Sequence, residues 1–353
     1  MLVCIPHRLL VTVPLLLAAL CVAQTATAAG PKTHVDMELG FEKGAGLDAQ
    51  QKWYRFLTTH GVENLRIHQQ QPGEQPKIES IGSETAPAFR VFGTISASSA
   101  LIVPGGNFSL ADAAAFEKWV HELGENGAAG VTQKKTAFGL LPQQFKDLHE
   151  DLAQKVGFST KGMPLREFMS KMAGKLKTPF TLEPATKQAL AAEDPVRDEL
   201  EGLTCGTAIA AALRPAGMVL VPRKPSGSRP ELLVTPGKGV AEFWPIGWPP
   251  EKLLKDMAPV YFEFLNVELD DVTAEDALAA LQGRLKVPFL FDYNGLVRAK
   301  IDLKAGKIKV PERKTYYLKA LEVVLHQANL RHETRVDEAG VPFEWIMPLR
   351  GGG

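Results

Sequence analysis

Few residues in this chain have the type and spacing that chemistry requires. Past residue 30 the histidines are His34, His60, His68, His121, His149, His326 and His332, and they are scattered. His121-Glu122 and His149-Glu150 lack the second histidine one turn on that a helical zinc site needs. His326 and His332 fall across a helix end and share no helical face. There is no Gly-x-Ser-x-Gly elbow, no Walker-type phosphate loop, no His-Glu-x-x-His and no Cys-x-x-Cys. The sequence therefore assigns no catalytic, cofactor-binding or metal-ligating residue.

Three weaker signals have structural readings. Thr204 is expected to cap a helix opening at Cys205, where a helix N-terminus lowers a thiol pKa. No histidine is near it in sequence, so the expectation is a partly buried structural cysteine. Intermolecular pairing and a nucleophile are the alternatives. The acids Asp270, Asp271, Glu275 and Asp276 stand where a helix begins, which predicts capping and dipole complementation rather than cation binding. Pro104-Gly105-Gly106-Asn107 reads as turn chemistry before an anion cradle.

The elements that must carry such residues follow from length and patterning. A chain of 353 residues has room for two or three domains, and its 45% hydrophobic content is ample for cores. The 40 basic and 40 acidic residues balance. No net field favours nucleic acid, and basic–aromatic interleaving is absent. Residues 1–29 read as a secretory signal peptide. His7 and Arg8 lead the apolar run Leu9–Val22, and Ala26-Thr27-Ala28 offers a cleavage site. Cleavage removes Cys4 and Cys21 and leaves Cys205 alone, so no intrachain disulfide is expected. No later stretch reaches transmembrane length. The expected location is exported, periplasmic or extracellular, with no integral membrane span after cleavage; a retained N-terminal anchor is the alternative.

The fold class expected is α+β. A mixed α/β module over 30–134 carries a helix from Leu47-Asp48, stopped at Gly61, and strands at Val62–His68, Lys77–Gly82, Ala88–Ile95 and Ala100–Val103. Ser109–Asp112 predicts a capping box opening a helix with Phe116, Trp119, Val120 and Leu123 buried. Gly124–Gly130 reads as a flexible connection, and 135–162 as a helical connector with a helix over Pro142–Val156.

Two units of βαββαβ type then follow, at 163–235 and 260–350. Leu165, Met169, Met172 and Leu176 precede Ala274, Leu278, Leu281 and Leu285 by 109 residues. Leu176-Lys177-Thr178-Pro179-Phe180 returns as Leu285-Lys286-Val287-Pro288-Phe289. Ile209, Ala212 and Leu213 precede Leu321, Val324 and Leu325 by 112. A match in order over two helices and two strands predicts an internal duplication. The second unit is expected to add a final strand, Phe343–Met347. Between the units, 236–259 is a linker rich in proline and tryptophan. Trp244 and Trp248 either pack across neighbouring modules and fix their angle, or form an exposed interaction surface.

The second unit resembles the short N-terminal domain shared by secretins and TonB-dependent transducers. The resemblance is carried by Val267-Glu268-Leu269, Thr273–Leu278, Pro288–Asp292, Ile308-Lys309-Val310, Tyr317–Leu325 and Leu330–Val336. It implies a small periplasmic α+β domain that contacts partner proteins and has no catalytic residues. No secretin pore region or receptor barrel follows. The whole chain also resembles exported proteins of unknown function from planctomycete-type bacteria, through Trp244–Trp248 and Arg335–Gly340. The expected function is a non-catalytic interaction or scaffolding protein of the cell envelope with an envelope protein partner. The alternatives are an exported hydrolase with a site at a module interface and a small-molecule or glycan-binding protein. No cofactor is expected.

Overall fold

A computed structural model describes residues 33–83, 86–190 and 194–349. The expected signal segment 1–29 with Cys4 and Cys21, and the tail 351–353, lie outside them. The architecture is α+β.

The first module is a sheet covered by helices on one face. Its strands are β1 (His34–Phe41), β2 (Val62–Gln69), β3 (Lys77–Ser80), β4 (Ala88–Ile95), β5 (Leu101–Val103) and β6 (Gly106–Phe108). The sheet order is β2-β1-β4-β5-β6, with β3 also on β4, and β1 runs parallel to both β2 and β4. Alternation sends Val35, Met37, Leu39, Phe89 and Val91 inward against α1 (Leu47–Thr59) and α2 (Ala113–Thr132). Trp53, Phe116 and Leu123 complete that core.

Two local expectations give way here. Ser109 does not cap α2, which starts four residues later. Instead the Asp112 carboxylate accepts from Ser109 N and Oγ, both at 2.7 Å, tying a turn ahead of the helix. Gly124–Gly130 is not a free connection, because α2 runs on to Thr132 through a kink at Gly127, where φ is 64°. Only glycine takes that angle at no steric cost. Pro104-Gly105 is the β5–β6 turn.

Helix α3 (Pro142–Leu152) starts with proline at its first position and ends four residues short of Val156. The first of the two expected units then contains α4 (Leu165–Lys175), β7 (Phe180–Leu182), α5 (Pro184–Ala189), α6 (Cys205–Leu213), β8 (Met218–Arg223) and β9 (Glu231–Pro236). After a linker holding α7 (Leu254–Met257), the second contains β10 (Phe264–Thr273), α8 (Ala274–Leu285), β11 (Phe289–Phe291), α9 (Tyr293–Ala299), β12 (Lys307–Tyr316), α10 (Tyr317–Gln327), β13 (Leu330–Val336) and β14 (Pro342–Pro348). Thr273 caps α8 as its side chain accepts from Asp276 N at 3.1 Å. The final strand anticipated for the second unit alone is present in both, since β9 stands where β14 does.

The two units share strand order and pairing direction. Order β7-β9-β8 matches β11-β14-β13, with the first pair parallel and the second antiparallel in each. Register agrees residue by residue: Phe180↔Leu232 corresponds to Phe289↔Glu344, and Met218↔Pro236 to Leu330↔Pro348. These pairs keep the 109 and 112 spacings seen in the sequence. The ten-residue strands β10 and β12 pair with each other from Phe264↔Tyr316 to Thr273↔Lys307. At the matching positions the first unit retains only the isolated bridges Lys155↔Thr204 and Pro164↔Pro195.

One hydrophobic core spans both units. Leu290, Phe343, Trp345 and Met347 of the second sheet join α3, α4, α6 and the first sheet in a single cluster. A second cluster lies between α8, α10, the β10–β12 ribbon and the inner face of the β11-β14-β13 sheet. Among the described residues no helix is long and apolar enough to cross a membrane.

Candidate functional site

The site is best built from the junction between the two units, where the linker tryptophans lie. Trp244 is 1% exposed, so the reading of it as an exposed interaction surface is corrected: it is a core residue. Its indole N–H donates to Glu338 Oε1 at 2.5 Å, and its ring stacks on Phe138 at 6.0 Å. Trp248 is half-buried and meets Trp244 edge to face at 5.5 Å. Its buried Nε1 has no hydrogen-bond partner among the described residues. With Phe145, His149, Lys252 and Gly340, Trp248 lines a pocket of about 690 Å³.

Glu338, at the turn joining β13 to β14, ties the units together. It reaches the start of α6, where it accepts from Thr207 N at 3.2 Å, Thr207 Oγ1 at 2.9 Å and the Thr204 hydroxyl. The neighbouring Asp337 accepts from Thr204 N at 3.1 Å. Thr204 therefore does not cap α6 with its own side chain. A carboxylate from the other unit satisfies the orphan N–H and complements the helix dipole. Sequence reasoning took Arg335–Gly340 as a strand running into a turn and had no signal for this long-range contact.

Cys205 is buried at that helix start. Burial outweighs the helix N-terminus and pushes its thiol up to about 11, which disfavours the thiolate. The acidic cluster divides. Asp276 belongs to the α8 cap, whereas Asp271 and Asp270 pair with Lys307 and Lys309 at 3.2 and 3.1 Å across the ribbon. Among the described residues no group of three potential metal ligands gathers.

A second buried carboxylate, also unsignalled in the sequence, holds β13 to β14. Glu344, fully buried, accepts from Tyr261 Oη at 2.6 Å and Thr334 Oγ1 at 2.8 Å, and pairs with His332 Nδ1 at 2.6 Å. Burial, then the Glu344 charge, raises the Tyr261 phenol well above its ordinary value. This network fixes β13 from within and leaves its other edge free.

That edge distinguishes the units. Val336 N–H donates to Trp248 O at 2.9 Å, and Trp248 N–H to Val336 O at 2.7 Å. Alternate residues of an antiparallel strand share an edge, so Thr334, His332 and Leu330 turn their backbone groups the same way as Val336. No backbone partner meets them among the described residues. Pro249 and Pro250 follow Trp248, and lacking N–H groups they cannot extend the pairing as donors. On β8 the matching positions are closed: Trp244 N–H donates to Leu220 O at 2.7 Å, and Pro222 stands opposite Thr334 in the comparison. Proline and short caps are ordinary means of protecting an edge, and β13 lacks both over most of its length.

Comparison with family models, with curated proteins and with solved structures finds no match to this chain.

Proposed function

We propose that this chain is an exported, non-catalytic interaction or scaffolding protein of the cell envelope, built on an internally duplicated α+β unit. The observation that carries the reading is the open edge of β13. A partner segment in extended conformation can continue the pairing that Trp248 begins at Val336, taking backbone bonds from Thr334, His332 and Leu330. The buried Glu344 network keeps the strand ready in that shape. The signal-like N-terminus supports export, and a balanced charge fits surface contact with protein better than with nucleic acid.

A photo-reactive residue at Arg331 or Glu333, both exposed on β13, tests this reading. Crosslinks in the native envelope should map to one extended segment of a single partner, and a probe at exposed Glu117 on α2 should give none. No partner segment at either β13 position would remove the basis of the proposal.

A second reading rests on the junction pocket. Phe145, His149 and Trp248 give it an aromatic wall suited to a flat small molecule or a sugar ring. Saturable quenching of tryptophan fluorescence by a glycan panel would favour it, and loss of that quenching in Trp248→Ala would locate it.

A further inference from the structure

The contact that closes the first unit has an unused counterpart on the second. On the first unit, the Asp337-Glu338 turn docks where the bridge Lys155↔Thr204 meets the start of α6. The matching place on the second unit is the pair Phe264↔Tyr316 at the start of α10. The local geometry agrees, since Cys205 N donates to Gln154 O in the first unit and Tyr317 N to Glu263 O in the second.

This counterpart is bare and aromatic. Phe264 is 70% exposed, Phe262 46% and Tyr316 37%, and the rings of Phe262 and Tyr316 stack at 6.5 Å. Lys314 lies over the Phe264 ring at 5.5 Å. Lys319 stands where Thr207 holds Glu338 in the first unit, and pairs with Glu322 at 2.9 Å. Neither Arg313 nor Lys314 has an acidic partner among the described residues. Clustered exposed aromatics are uncommon on a monomer surface unless something covers them. No side chain caps α10, and its first turn holds no acid.

We infer that the Phe262–Phe264–Tyr316 face is a docking site for the acidic turn of a partner protein, which meets the start of α10 at the place matching that of Glu338 but further out, because Leu318 stands where the first unit has Gly206. The aromatic rings take the apolar flank of the turn, while Lys314, Lys319 and the open N–H groups of α10 take its carboxylates. The inference rests on the interaction reading above and adds a second contact, separate from β13.

The experiment uses the full chain and a fluorescein-labelled, disulfide-closed hairpin peptide bearing the turn Asp-Glu-Ala-Gly. Fluorescence anisotropy should show saturable binding that weakens with salt. The double variant F264S/Y316S and the single variant K319E should each weaken it by about tenfold or more. A peptide with Asn-Gln in the turn should bind about tenfold more weakly than the acidic one. All three positions are exposed, and circular dichroism of each variant checks that the fold is kept. Equal binding by wild type and both variants, or equal binding of both peptides, overturns the inference. So does binding to phosphatidylglycerol vesicles without peptide binding, which makes the face a lipid contact. Self-association abolished by F264S would assign the face to a second copy instead. Loss of peptide binding with β13 crosslinks retained would sink this inference and leave the interaction reading standing.

Discussion

Helices α6 and α10 occupy matching positions in the two units and meet opposite fates. Every residue of α6 is buried, because α3, α4 and β8 pack against it and the Glu338 turn and Trp244 close its start. On α10 only Ala320, Leu321, Val324 and Leu325 are buried, while Lys319, Glu322 and His326 face out. The difference is written in side-chain size. Gly206 and Thr207 let the Glu338 carboxylate and the Trp244 ring come close, and Ala210 and Ala211 continue the small face, whereas Leu318, Lys319, Glu322 and Val323 replace them on α10. The α6 face that meets the other unit's turn is made of small residues, whereas α10 keeps Lys319 and Glu322 in solvent and packs Leu318 and Val323 against the second core.

The sharpest way to break this comparison is to put the α10 residue into α6. A Cβ at Gly206 would collide with Glu338 Oε1 and stand 2.7 Å from Trp244 Nε1. Gly206→Leu should lower stability by about 3 kcal/mol or more, read from the urea midpoint, because the clasped carboxylate and the buried ring cannot give way together. The reverse change, Leu318→Gly, should cost about 1–2 kcal/mol, from helix propensity and the partial packing of Leu318 on the second core. Equal costs would mean that the two helices are not differently covered.

Next in size is the clasp itself. Glu338→Ala leaves the Thr204, Thr207 and Trp244 donors without their acceptor. A loss of about 2–3 kcal/mol in chemical denaturation is expected, against no measurable shift of the midpoint for Lys319→Ala on α10.

A comparable, pH-dependent effect comes from Asp198, which belongs to the first unit and reaches the second. Its carboxylate accepts from Tyr293 Oη at 2.6 Å and Phe291 N at 3.3 Å. Burial raises its pKa from 3.8 to about 6, over the opposing pull of those hydrogen bonds. The folded state therefore holds the proton more tightly than the unfolded chain. The stabilisation is complete below the ordinary carboxylate range and is lost as pH rises through about 6. A fall of about 3 kcal/mol across that window is expected, and Asp198→Asn should flatten it. A stability curve with the same slope in both proteins would contradict this assignment. The matching residue of the second unit, Val310, has no such role.

The smallest effect belongs to Trp248. Its buried indole N–H is unpartnered among the described residues, so Trp248→Phe should change the melting temperature little or raise it slightly. A large loss would show that the group has a partner in solution.

How much of this was legible in the sequence depends on the range of the interaction. The 109 and 112 spacings reappear as strand register because apolar periodicity and turn residues are local signals. The Thr273 cap and the proline start of α3 were readable for the same reason. Glu338, Glu344 and Asp198 were not, since each looks like an ordinary surface acid until distant donors surround it. Trp244 was ambiguous because packing and recognition both favour tryptophan, and only its depth decides. The course of α2 through Gly124–Gly130 was missed because glycine usually marks a break, and here a single kink at Gly127 absorbs it.

The clasp also sets an order in time. Glu338 follows Thr204 by 134 residues, so a ribosome adding about 5–20 residues per second completes the contact roughly 7–27 s after Thr204 is made. Throughout that interval the donors at the start of α6 lack their carboxylate. A nascent first unit therefore leaves open the side of its core that Phe343, Trp345 and Met347 later join, and a chaperone that shields it has a defined window in which to act.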